Sequence, residues 1–319
     1  MSRVATDELV AALEPAVGRI GRLDRRASEY CSSYTLEELD VELAGGAILQ
    51  LMFKDLGRES LLGGARAAKP DFLYDPRREI EVYRRLLASQ RLGTAACYAA
   101  VCDESAGRYW LFLERVDGLA LKHTGELDAW QAAARWLARL HAIRRPTDDS
   151  YLMRHDVSLF RLWPNRARHI LAARDVVGRD VRIRIDKLAA GYEAVVERLT
   201  ALPVAVIHGE FYASNVLVAG ERVCPLDWEM AGVGPGLIDL AALTAGKWTD
   251  AKRAALAGAY HAALDGPPPL ADLLANLDWC RLHLAMQWLG WSSDWAPPPE
   301  HVQDWLGEVL GLSEKLRLL

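Results

Sequence analysis

Residues 204–239 read VAVIHGEFYASNVLVAGERVCPLDWEMAGVGPGLID, and no other segment constrains the fold as much. An apolar run leads into His208-Gly209-Glu210, a second begins at Asn215, and a third ends in Leu226-Asp227-Trp228-Glu229. Short apolar runs bounded by glycine and polar residues read as buried strands. Polar groups at the ends of such strands are held by the core behind them. The segment is therefore a candidate magnesium–phosphate site rather than a decorated loop.

The chain around it has 319 residues, 51% of them hydrophobic, enough for two packed units. The net charge is -5 and no basic stripe stands out, so a nucleic-acid partner has no electrostatic support. No run of about 18 uncharged apolar residues occurs, so no membrane span is expected, and MSRVATDELV lacks the apolar stretch of a secretory signal. The five cysteines form no C-x-x-C pair, which argues against a disulfide framework or a zinc site. A reducing cytoplasm is the expected compartment. Only seven lysines occur, so a lysine in an apolar strand is easy to notice.

The pattern along the chain changes once. After an amphipathic start over Asp7–Val17, strands are expected over Tyr34–Leu43 and Ala47–Leu56, joined by Gly45-Gly46 as a hairpin. Pro76–Leu87 has a helical period, and further strands are expected over Ala96–Cys102 and Tyr109–Val116. From Gly118 onward helices dominate: Ala129–His141 is strongly amphipathic, and helices are expected over Leu159–Ala173, over Ile185–Leu199 and from Leu237 to the end. Two triple-proline runs, at 267–269 and 297–299, break that tail. This is an α+β chain with a sheet-rich N-terminal lobe, residues 1–116, and a mainly helical C-terminal lobe, residues 117–319.

Phosphoryl transfer needs positioned charge around the phosphates, a metal, and a group that orients the attacking hydroxyl. Asp227, at the end of an apolar run, can ligate Mg²⁺, with a helix cap or a salt bridge as the alternative, and Asn215 can offer a neutral oxygen to the same ion, with a turn or cap as the alternative. Glu210 can accept the proton of a substrate hydroxyl, or be an ordinary surface glutamate. His208 reads as a structural histidine and Gly209 as a point of tight backbone passage. Lys54, near the end of an apolar strand, can reach nucleotide phosphates, with Glu79 as the favoured helix carboxylate to hold it and Glu81 on another face; an ordinary ion pair is the alternative. Ser32 and Ser33 in the turn YCSSY can cover phosphates, although the chain has neither G-x-G-x-x-G nor G-x-x-x-x-G-K-[ST]. Asp239 reads as a helix cap or a brace. Glu229 is open between a carboxylate near a second metal position, a pocket wall and a solvent-facing residue.

These residues together resemble the aminoglycoside phosphotransferase and choline kinase-like family, which has a protein-kinase-like fold. The matches are HGEFYASNVLV at 208–218, LDWEMAGVGPGLIDLA at 226–241, LQLMFKDL at 49–56, REIEVYRRLL at 78–87, LFLERVDG at 111–118 and WLARLHAI at 136–143. The resemblance implies a bilobal ATP- or GTP-dependent kinase. Lys54 would hold phosphates and Glu79 would orient it, while Asn215 and Asp227 would bind Mg²⁺. Glu114 and Val116 would lie at the nucleotide hinge, and Glu210 at the catalytic-base position. The family usually has HGD where this chain has HGE. The extra methylene moves the carboxylate, and a shift of about 1 Å is costly in a positioned reaction.

Specificity is expected from the helical lobe, where NLDWCRLHLAMQWLGWSSDW at 276–295 offers Asp278, Trp279, Trp288 and Trp291. Tryptophan faces can pack on sugars or bases or hold a cation, or fill helix interfaces. Asp278 and Glu300 could meet a substrate amine. The leading expectation is O-phosphorylation of a small hydroxylated molecule such as an amino sugar or an aminoglycoside-like compound, with antibiotic resistance one possible use. The alternatives are a choline kinase, a nucleoside or nucleoside-antibiotic kinase, or a nucleotide-binding pseudokinase scaffold. A protein-kinase activity is disfavoured because no D-F-G with A-P-E occurs. A monomer or a homodimer is expected.

Overall fold

The computed structural model describes residues 4–30, 33–173, 177–293 and 303–319. Two compact units emerge. One comprises Met1–Leu119 with Leu217–Glu229, and the other Ala120–Val216 with Met230–Leu319.

The first unit is built on a five-stranded antiparallel sheet of order β1-β2-β3-β5-β4, with β1 Ile20–Ala27, β2 Leu36–Leu43, β3 Ile48–Asp55, β4 Cys97–Asp103 and β5 Arg108–Glu114. Helix α1 (Thr6–Val17) places Leu9 and Leu13 against Leu39, Val41, Leu51, Phe53, Trp110 and Phe112, all buried. Burying each such side chain contributes about 1.5–3 kcal/mol. Side chains alternate between faces along a strand. With Leu51 and Phe53 committed to the α1 face, Lys54 is directed to the opposite one. Its neighbours in register are Leu36 on β2 and Leu111 on β5, so it sits mid-sheet.

Strand β1 was not located by the sequence reading. Its alternation is blurred by Arg22, Arg25 and Arg26, which pair with acidic residues, Arg25 with the buried Glu37 on β2. Short helix α2 (Gly63–Ala68) was also missed. The helix expected over 76–87 is divided: one α-helical turn, α3 (Arg78–Glu81), runs into a π-helical stretch over Val82–Leu87 that buries Val82, Tyr83, Leu86 and Leu87. The chain passes from one unit to the other within the short strands β6 (Leu119–Ala120) and β9 (Val216–Ala219), and again between Glu229 and Met230. Strand β10 (Arg222–Pro225) follows β9 as its hydrogen-bonded neighbour.

The second unit is mainly helical. Its longest helix, α10 (Leu270–Leu289), is buried continuously from Cys280 to Gln287, which marks it as the central element. Packed on it are α5 (Val157–Ala172), α7 (Glu193–Thr200), α8 (Leu237–Leu243), α9 (Asp250–Ala262) and α11 (Trp305–Lys315). Helix α4 (Leu127–His141) packs on α9, and α6 (Arg179–Ala190) on α5. The single helix expected over 185–199 is two, because Gly191 ends α6 before α7 begins. A small sheet of order β7-β11-β8 combines β7 Met153–Arg154, β8 Val204–Ile207 and β11 Gly232–Pro235. No described helix is long and apolar enough to cross a membrane. The four described cysteines are all free.

Candidate active site

In the first unit the polar cluster forms around Lys54. Its ammonium lies 2.6 Å from Glu79 Oε2 and 2.7 Å from Asp227 Oδ1. Glu79, not Glu81, makes this contact; Glu81 lies within reach of Arg84 and Arg85 instead. Glu79 is 2% exposed. Burial works against the Lys54 charge, but Asp227, Glu79 and Glu229 outweigh it and hold the ammonium well above the usual lysine range. Burial pushes the Glu79 carboxyl upward, opposed by Lys54. Asp227 follows β10 with a left-handed backbone, φ 64°, a conformation rare outside glycine. Such a backbone turns the carboxylate out of the strand direction and toward Lys54.

Two further cations hold the chain next to Asp227. The Lys69 ammonium pairs with the Glu229 carboxylate, both side chains nearly buried. Arg78 Nη1 donates to the Glu229 carbonyl at 2.5 Å and to the Leu73 carbonyl at 3.1 Å. Tyr34 is buried with its ring centroid 5.3 Å from the Lys54 ammonium and 5.4 Å from that of Lys69. Lys69, Arg78 and Tyr34 were not singled out in the sequence. The rarity of lysine and the position of Arg78 beside Glu79 were the available signals.

The remaining first-unit candidates are placed as follows. Ser33 is half-buried and its carbonyl accepts from the Leu62 amide. Ser32 lies outside the described residues. The Glu114 carboxylate receives two hydrogen bonds from Arg222, at 2.5 and 2.7 Å, which hold it below the usual range, and its amide donates to the Ala96 carbonyl. Val116 is half-buried.

In the second unit, β8 ends at the His208–Glu210 loop. Gly209 has φ 85°, and a Cβ there would stand 2.2 Å from the Met230 carbonyl oxygen. Only glycine lets the loop pass this close to the neighbouring chain. Asp239, in the first turn of α8 and fully buried, accepts from the His208 amide at 2.7 Å and the Gly209 amide at 2.8 Å. It therefore braces the loop. A carboxylate can only accept, so the 3.2 Å contact with His141 puts the proton on His141 Nε2; in the neutral ring Nδ1 then accepts from the Tyr260 hydroxyl at 2.9 Å. Burial opposes the Asp239 charge, but His141 and the loop amides keep its carboxyl below the usual range.

Glu210 is buried, and its carbonyl accepts from Asn215 Nδ2 at 3.0 Å. That bond orients the Asn215 carboxamide and closes the five-residue loop. The glycines of β11 and its C-terminal flank, Gly232, Gly234 and Gly236, leave room for the His155 and His141 rings packed against them. The sequence reading did not see a strand in so glycine-rich a run.

Asp278 is tied to Arg281 at 2.8 Å and to Lys315 at 2.6 Å, and Arg281 also reaches Glu308 at 2.5 Å. Trp279 is half-buried on α10. Trp288 and Trp291 belong to an aromatic ladder. Trp163 stacks on Trp291, Trp291 lies 5.4 Å from Trp288, and Trp288 stacks on Trp305 at 5.7 Å. Trp288 Nε1 donates to the Tyr212 hydroxyl at 2.5 Å, two residues beyond Glu210. Glu300 lies outside the described residues.

No set of three or more His, Cys, Asp or Glu side chains among the described residues is arranged to hold a metal unaided. Magnesium does not need one: it keeps several waters and commonly binds through one or two carboxylates together with substrate phosphates. Within the first unit, the single turned-out Asp227 carboxylate fits that donor chemistry.

The family model described as the phosphotransferase enzyme family (APH) matches residues 66–273, well over half of the sequence, and the chain belongs to this family. Its fold is the protein-kinase-like fold of aminoglycoside phosphotransferases and choline kinases. Choline kinase from Cryptosporidium parvum Iowa II is similar, with 13% identity, TM-score 0.62 and coverage of 98% of this chain and 95% of that one. The streptomycin–ATP ternary complex of APH(2'')-IIa is 13% identical with TM-score 0.59, covering 98% and 97%. A GDP complex of an aminoglycoside 2'-phosphotransferase-IIIa mutant is 14% identical with TM-score 0.62, covering 98% and 97%. No curated protein matches by sequence. Membership carries small-molecule phosphotransferase activity at the level of the family.

Proposed function

We propose that this protein transfers the terminal phosphoryl group of ATP or GTP to the hydroxyl of a small molecule and requires Mg²⁺. The observation that supports this most is the contact of the buried Lys54 ammonium with both Glu79 and Asp227. Lys54 holds the nucleotide phosphates as a point charge, Glu79 keeps its ammonium in place, and Asp227 and Asn215 are the oxygen ligands for magnesium. When bound, magnesium neutralises charge on the phosphates. Glu210 accepts the proton as the acceptor oxygen bonds to phosphorus, and the nucleoside diphosphate leaves. The His208–Gly209 amides on Asp239 keep the Glu210 backbone from drifting, which matters more here than with the family's usual shorter aspartate.

The acceptor expected from sequence is an amino sugar or an aminoglycoside-like compound, with antibiotic modification one use. One observation favours a second reading. Asp278 already has two cationic partners, whereas Trp288 and Trp305 form a half-buried stacked pair tied to the Tyr212 hydroxyl. Aromatic faces of this kind suit a choline-like ammonium or a planar nucleoside.

The test is a metabolite-library screen with ATP or GTP and Mg²⁺, following the mass gain of a phosphate and locating the modified hydroxyl. Transfer to one acceptor class, lost in Asp227→Ala, is expected. Nucleotide binding that Asp227→Ala abolishes, without transfer to any alcohol, would identify a nucleotide-binding scaffold instead.

A further inference from the structure

We infer that Lys69 is a second phosphate-positioning cation of the nucleotide site, held ready by Glu229; this rests on the reading of Lys54 as the phosphate lysine. Three observations within the first unit lead there. First, Lys54 and Lys69 place their ammonium groups at nearly equal distances, 5.3 and 5.4 Å, from one buried ring, that of Tyr34. A lysine pair around one aromatic side chain falls within the span of a triphosphate. Second, each lysine is matched to a carboxylate of the same short segment, Lys54 to Asp227 and Lys69 to Glu229, and Arg78 anchors the Glu229 carbonyl between them. The segment that carries Asp227 is thus fastened by three cations. Third, the chain has no glycine-rich phosphate loop. Such loops supply backbone N–H groups to phosphates, and a chain without one needs side-chain cations in their place.

Two ammonium groups against one ring repel unless each is compensated. Glu229 compensates Lys69 before nucleotide binds and gives it up to phosphate afterwards, since a multiply charged phosphate is the stronger partner. The Tyr34 ring keeps both stems apart and adds a cation–π contact to each ammonium. Lys69 is a positioning residue for the phosphates. A merely structural Lys69–Glu229 pair would make the two partners equivalent, whereas a phosphate cation makes them unequal.

The experiment exploits that inequality. Binding of nucleoside triphosphate and of the corresponding nucleoside is measured by calorimetry for wild type, Lys54→Met, Lys69→Met, Lys69→Arg and Glu229→Gln, with melting temperatures alongside. Lys69→Met is expected to weaken triphosphate binding at least tenfold while nucleoside binding stays within twofold. Lys69→Arg should recover most of the loss. Glu229→Gln, which leaves the cation in place, should lower the melting temperature as much as Lys69→Met does without reducing the triphosphate-to-nucleoside ratio. If Lys69→Met and Glu229→Gln change stability alike and neither changes that ratio, the inference is overturned and the pair is structural. Should wild type bind no triphosphate at all, the kinase reading falls as well. A loss confined to Lys54→Met overturns the Lys69 inference alone.

Discussion

Replacing Gly209 by alanine forces the His208–Glu210 loop to move, and the size of the movement can be worked out. The backbone at Gly209 has φ 85°, and a Cβ would sit 2.2 Å from the Met230 carbonyl oxygen and 2.8 Å from its carbon. The left-handed conformation alone costs a non-glycine residue about 1–2 kcal/mol. Ordinary van der Waals contact requires the 2.2 Å approach to open by about 1 Å. Neither side yields easily, because Asp239 grips the loop amides from one direction and β11 is paired to β8 next to Met230. The combined loss should therefore exceed about 3 kcal/mol, a fall in melting temperature of roughly 6 °C. A displacement of this size next to Glu210 should slow phosphoryl transfer about 100-fold. Gly220, in the turn between β9 and β10, is the control: its φ is 60°, yet a Cβ there meets nothing within 4 Å. Gly220→Ala carries the conformational cost without the collision, so it should lose only about 1–2 kcal/mol and keep its transfer rate. Thermal unfolding and single-turnover transfer to the acceptor found by the screen are the assays. If the two alanine variants behave alike in both, the close approach to Met230 is not what demands glycine at 209.

Three other outcomes are expected. Asp239→Asn exchanges an oxygen acceptor for an amide nitrogen that cannot accept from the His208 or Gly209 amide; it should cost about 1–3 kcal/mol in chemical denaturation, and unchanged stability would refute the bracing role. Glu210→Gln should slow transfer by about 10²–10⁴-fold with nucleotide affinity intact, whereas loss of nucleotide binding in parallel would show that Glu210 acts on the nucleotide rather than on the acceptor hydroxyl. Burial, with a contribution from His155, pushes the His283 imidazole down to about 3. The unfolded chain takes up this proton near pH 6.5 and the folded chain does not, so stability holds above pH 6.5 and declines as pH falls toward 3. At about 1.4 kcal/mol per unit the decline reaches on the order of 5 kcal/mol, and urea titrations at pH 7, 5 and 4 should show it in wild type and not in His283→Phe; equal slopes would refute the assignment.

Much of the site could be located from local pattern. A mostly apolar run after a glycine turn placed Lys54 near the end of β3, and the helical period put Glu79 early in its helix. The order of the apolar runs set Glu210, Asn215 and Asp227 at strand ends. Each of these signals spans only a few residues, because turn chemistry and side-chain periodicity are properties of short segments. The misses have equally local causes. Arginines broke the alternation of β1, glycines disguised β11, and Gly191 split one expected helix into α6 and α7.

Local pattern was enough for most of the elements, for the order of the chemical groups along the chain, and for the resemblance to a phosphotransferase family. Which of those groups are already paired emerges only when distant segments pack together. Lys54 and Asp227 are 173 residues apart, Lys69 and Glu229 are 160, and Arg78 reaches the Glu229 carbonyl across 151. Asp278 looked available for a substrate amine until helix packing brought Lys315 to it. Asp239 stood open between a cap and a brace, and the loop amides on its oxygens make it a brace. Partners so distant in sequence leave no periodic trace. Burial makes each one necessary, since a charge removed from water must find an opposite charge or a hydrogen bond, but only the folded packing shows which one it found.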